Sequence, residues 1–113
     1  MPLKRVILEM GAGNDLHGAD YTKAALRAVQ DALHHSSLAL VRSLGLDSNA
    51  MQVEVTIGVQ QPEKVDAAAV RKSLPRGQVA VKVVKGGLDV LDEDGHDRAV
   101  IASAAIAVRF ELP

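Results

Sequence analysis

The stretch LKRVILEMGAGNDLHGADYTKAALRAV, residues 3–29, decides how this chain is read. Its first part, Leu3 to Met10, alternates as a β-strand, with Val6, Leu8 and Met10 on one face and Arg5, Ile7 and Glu9 on the other. Its last part has helical spacing, and Asp20 or Thr22 is placed to cap it. Between them lies Gly11 to Lys23, where three glycines sit among Asn14, Asp15, His17, Asp20, Thr22 and Lys23 with little to bury. Ordering such a loop costs conformational entropy unless it binds or positions something, so it is expected to be the working site.

Outward from that loop, the helix is expected to run to about Leu44. Its stripe is Leu26, Val29, Leu33, Leu40 and Leu44, interrupted by Ser36 and Ser37, and Gly45 closes it. Met51 to Gln60 is the cleanest strand, apolar at odd positions and polar or glycine at even ones. Pro62 suits the first turn of a second helix, Glu63 to Leu74. Gln78 to Val84 reads as a third strand, and Asp94-Gly95 marks a turn in an acidic run. A fourth strand follows, with Val100, Ala102, Ala104, Ile106, Val108 and Phe110 facing one way. The order is β-α-β-α-β-β in a single domain over residues 1–113. The expected fold is α+β: a four-stranded mixed sheet, two helices on one face, and the last two strands paired as a long hairpin.

Composition excludes several classes of function. A net charge of −1 gives no field for nucleic acid or a membrane surface, and Tyr21 and Phe110 are the only aromatics for stacking on bases. With no cysteine there is no disulfide, thiolate nucleophile or zinc-thiolate site. The start, MPLKRVILEM, does not have the form of a signal peptide, and no apolar run approaches the ~18 residues of a membrane span. A cytoplasmic protein is expected. Its core must be built from small residues, and short chains of that kind often oligomerise.

The strand and helix order, with one open sheet face, resembles the fold of monofunctional chorismate mutase and the YjgF-type imine deaminases. That likeness implies trimers whose open sheet faces pack inward, with ligand sites between subunits. More closely, GAGNDLHGADYTKAALRAVQDALHHSSL, residues 11–38, is similar to the signature of a family of short conserved hypothetical proteins, G-x-G-x-D-L-H-G-x-D-x-T-K-A. The family implies no activity.

Asp15, His17 and Asp20 fall within six residues, and a carboxylate can orient an imidazole as a base or join it on a divalent cation. The plainer reading has Asp15 bonding to a turn, Asp20 capping the helix and His17 in solvent. Lys23 and Arg27, one helical turn apart, would present cations to an anionic substrate, or Arg27 would form a surface ladder with Asp31. Lys85 and Gly86 end a strand and would meet the loop of the same or a neighbouring subunit. The leading expectation is a small-molecule hydrolase or lyase at a subunit interface. Asp15, His17 and Lys23 would be catalytic; Gly11, Gly13, Asn14, Asp20, Thr22, Arg27, Lys85 and Gly86 would bind a small polar or anionic substrate. The cofactor is left open by the sequence. The rivals are a non-catalytic metabolite-binding or assembly protein, and a metal site on Asp15, His17 and Asp20.

Overall fold

The last strand is the longest and the most enclosed, and the rest of the sheet is arranged on it. In the computed structural model, which describes residues 2–34, 41, 43–74 and 76–112, the elements are β1 (Leu3–Asp15), α1 (Tyr21–His34), β2 (Gln52–Val59), α2 (Ala67–Lys72), β3 (Gln78–Lys85), β4 (Leu88–Leu91) and β5 (Arg98–Glu111). Short 3-10 turns occupy Ser48–Ala50 and Pro62–Lys64. The sheet order is β1-β5-β2-β3, with β4 also paired to β5. β5 runs antiparallel to β1, β2 and β4, while β2 and β3 are parallel.

This is a mixed five-stranded α+β sheet, not a four-stranded one. β3 does not form a hairpin with the final strand; it lies parallel to β2 at the edge. The chain then crosses at Gly86-Gly87 to β4, which extends along the same side of β5 as β2. The hairpin is β4–β5, closed by the expected Asp94-Gly95 turn, where Gly95 N–H donates to Asp92 O at 2.9 Å. The Asp89–Asp97 run hid a strand because Leu88, Val90 and Leu91 are too few to show a period among acids.

Strand β1 corrects the expected faces. Its register with β5 slips between Arg5 and Ile7, so Val6 is an extra residue, a β-bulge. Beyond it the alternation is inverted, and Ile7, Glu9, Gly11, Gly13 and Asp15 turn toward the helices. Leu8 and Met10 go to the open face, where they remain 45% and 67% exposed. β1 also continues through Gly11–Asp15, so half of the expected loop is strand.

The two inward glycines explain the helix contact. A Cβ on Gly11 would collide with the backbone of Ala28 and Ala32, and one on Gly13 with that of Ala24 and Ala28. Helix α1 therefore lies directly on the strand, and its buried stripe is Ala24, Ala25, Ala28, Val29 and Ala32; Leu26 and Leu33 sit at its margins. Residues His35, Ser36, Ser37 and Leu40 of the expected long helix lie outside the described residues. Gly45 has φ +65 and Leu46 N–H donates to Val41 O at 3.0 Å, the bond of a left-handed helix C-cap. Leu44 points outward, not into the stripe. The second helix is shorter than its pattern: Asp66 caps Ala67–Lys72, and Val70 carries its burial. Valines and isoleucines of β2 and β5, with Phe110, complete the core.

Candidate functional site

The segment between β1 and α1 folds by satisfying its own polar groups. Asp15, 5% exposed, accepts from the Asp20 N–H at 2.9 Å, and Asp20 caps α1 by accepting from the Lys23 N–H at 3.0 Å. Gly18 at φ +89 and Ala19 at φ +51 make the turn between them. Lys23 Nζ and Arg27 stand 3.9 and 3.8 Å from the remaining Asp15 oxygen, so a buried carboxylate is balanced by two half-exposed cations. Thr22 accepts from Asp66 N–H at 2.9 Å and so ties α1 to the start of α2.

His17 is not oriented by Asp15. Its Nδ1 meets Asp97 Oδ2 at 2.9 Å, and Asp97 Oδ1 also accepts from Gly18 N–H at 3.1 Å. The imidazole is otherwise in solvent, with its side chain 87% exposed. The bond to Asp97 raises the histidine pKa; the same bond, with backbone N–H donors from Gly18 and Arg98, holds the Asp97 carboxyl down at about 2. Asp15, His17 and Asp20 are thus each directed to a different partner. Among the described residues no group of three or more His, Asp or Glu side chains is placed to hold a metal ion.

Arg27 and Asp31 do not act as a simple ladder. Arg27 donates to Asn14 O at 2.7 Å and Asp31 accepts from Ala12 N–H at 2.9 Å, so one helix face caps the free edge of β1. Gly11 and Gly13 are strand residues under α1. Lys85 and Gly86, at the end of β3, border a shallow groove of about 610 Å³ on the open side with Met10, Ala12, Thr56 and Ser103, although the register pairs Lys85 with the inward Val59. The end of β3 and the turn before α1 are therefore not brought together as one site. Gly86 packs against Gly58, and its N–H donates to Val59 O at 2.9 Å.

A second polar cluster had no signal in the sequence. Tyr21, buried at the start of α1, donates to Asp89 on β4 at 2.5 Å and accepts from Gln61 at 2.9 Å and, more weakly, from Arg98 at 3.4 Å. Burial, then the bond to Asp89, raises the phenol pKa. Gln61, Asp89 and Arg98 lie 40, 68 and 77 positions from Tyr21 in the chain and reach it only through the fold. No local spacing reveals them.

A mixed sheet carrying two helices on one face, with a self-satisfied turn at the start of the longer helix, defines a small α+β domain class. The chain belongs to the conserved hypothetical protein family Lin0512_fam, whose model matches residues 5–108. It is similar to a crystal structure of an FtsZ-like protein of unknown function from Nostoc punctiforme, at 38% identity and a TM-score of 0.86 over 99% of each chain. Among curated proteins no relative matches. Among the described residues no helix is long and apolar enough to cross a membrane.

Proposed function

We propose that this protein is a self-assembling, non-catalytic module that buries its open sheet face against further copies of itself. One observation carries the reading: Leu8, Met10, Leu88 and Val90 stand 45%, 67%, 54% and 50% exposed along the face that, among the described residues, no helix covers. Between those ridges the floor is small, with Ala12, Ser103 and Ala105 lining the groove, so a ridge of one copy has a place to sit on the next. Glu54 and Arg109, 3.5 Å apart, put both signs of charge on this face, as self-pairing requires. The 14-residue β5 is about 46 Å long and three strand widths add about 14 Å, giving on the order of 600 Å² of face, near the ~800 Å² that each partner buries in a stable interface. The resemblance to chorismate mutase and YjgF-type proteins favours a trimer. Native mass spectrometry tests this. The expected species is a multiple of the 11.9 kDa chain that collapses to monomer in Met10→Asp. A wild-type monomer at every concentration would end the proposal.

The hydrolase or lyase reading keeps one supporting observation, the His17–Asp97 pair with the imidazole open to solvent. In it Asp97, rather than Asp15, orients the base, and Lys23 stands ready for negative charge. If a turnover is found, His17→Asn should abolish it and Asp97→Asn should shift its pH profile downward. Turnover indifferent to both changes would remove this reading.

A further inference from the structure

We propose that the cavity under the second half of α1 is a binding site for a small aliphatic monoamine, its ammonium held by Glu9. The cavity measures about 350 Å³, within the range of small-molecule sites, and lies on the covered side of the sheet, away from the open face. Its walls are apolar, among them Ile7, Leu33, Val53 and Ile106. Glu9 enters this wall because the Val6 bulge inverts β1: it stands opposite Ile106, between the inward residues Ile7 and Gly11.

Among the described residues the Glu9 carboxylate has no hydrogen bond or ion pair. A half-buried carboxylate on an apolar wall is short of a donor, and an ammonium supplies both the charge and the hydrogen bonds. Among the described residues lining the cavity, the other charged group is Arg76, exposed, whose NH1 donates to Ser48 Oγ at 3.4 Å. Two opposite charges on one apolar chamber set a polarity. A cation is drawn to Glu9, while a second cation at the far end of the same ligand would meet Arg76. An anion would be repelled from the wall where Glu9 sits. An aliphatic body fills the remainder, so the chemistry selects a primary monoamine over a diamine or a carboxylic acid. The site is independent of the proposed assembly, since none of its walls lies on the open face.

The test is a ligand titration of the full chain near pH 7, where the amines are charged. The probes are n-butylamine, 1,4-diaminobutane and butyrate, read by thermal midpoint and by methyl NMR shifts of Ile7, Leu33 and Val53. Butylamine is expected to raise the midpoint saturably and move those methyls, with the diamine at least tenfold weaker and butyrate without effect. Glu9→Gln, which keeps the shape, should weaken butylamine at least tenfold. Leu46→Phe, which fills the cavity from its loop wall, should block binding while leaving Glu9 in place. Butyrate binding as well as butylamine, affinity unchanged in Glu9→Gln, or no saturable response to butylamine would each overturn the proposal.

Discussion

Gly11 and Gly13 act by lacking a side chain. Gly13→Ala places a methyl into the backbone of Ala24 and Ala28, and overpacking of that kind costs roughly 1–3 kcal/mol or more. The urea midpoint should fall with an unchanged slope, whereas Ala12→Ser, on the exposed side of the same strand, should stay within about 0.5 kcal/mol. A second prediction at this scale concerns pH. His17 has a raised pKa, so its contribution is complete below about 6.5 and disappears as pH rises through the raised value. Asp97 is lowered to about 2 from 3.8, so its contribution is complete above about 4 and disappears as pH falls toward 2. The clasp between the Leu16–Asp20 turn and the β4–β5 turn is therefore strongest from about pH 4 to 6.5. In an NMR titration Asp97→Asn should return the His17 midpoint toward 6.5; a midpoint unmoved by the change would show that another group sets it.

Strand edges and crossings are decided between elements. Arg27 and Asp31 on α1 occupy Asn14 O and Ala12 N–H, so the edge of β1 is closed toward the end of the strand, where it is still paired with β5. Gly87, at φ +64, lets the chain pass from β3 to β4 close against Ile101 O. Alanine there adds about 1–2 kcal/mol of left-handed strain to the collision. Amide exchange at Leu88–Leu91 should accelerate by roughly tenfold or more in Gly87→Ala, while β2 is little changed. Equal acceleration in both strands would mean that β4 does not open as its own unit. Tyr21 would feel the same opening, because its hydroxyl rests on Asp89 of β4.

The whole molecule is elongated, 57 × 22 × 19 Å, with a radius of gyration of 15.5 Å against about 13 Å for a compact domain of this length. A single sheet with helices on one side leaves the other side as wide as the sheet itself. If that side is covered by further copies, stability depends on concentration. The thermal midpoint should fall on dilution in the wild type and be insensitive to dilution in Met10→Asp. A midpoint independent of concentration in the wild type would argue that the exposed face is tolerated by a monomer.

Local pattern determined much of this. The alternation of β2 and β5, a helix cap at Asp20 or Thr22, the Gly45 stop and the Asp94-Gly95 turn were all legible, because each rests on neighbours a few residues away. Only tertiary structure decided the rest. Val6 is an ordinary strand residue until β5 imposes a register that leaves it over, and that one residue chooses which of Ile7 or Leu8 is buried. The glycine-rich stretch looked like a loop because strand propensity disfavours glycine; contact with the alanines of α1 reverses that preference. His17 found a carboxylate 80 positions away rather than two, because the turn and the β4–β5 hairpin meet only once the sheet is assembled. Periodicity reports which side of an element is apolar, but which elements meet is set by packing the whole chain at once.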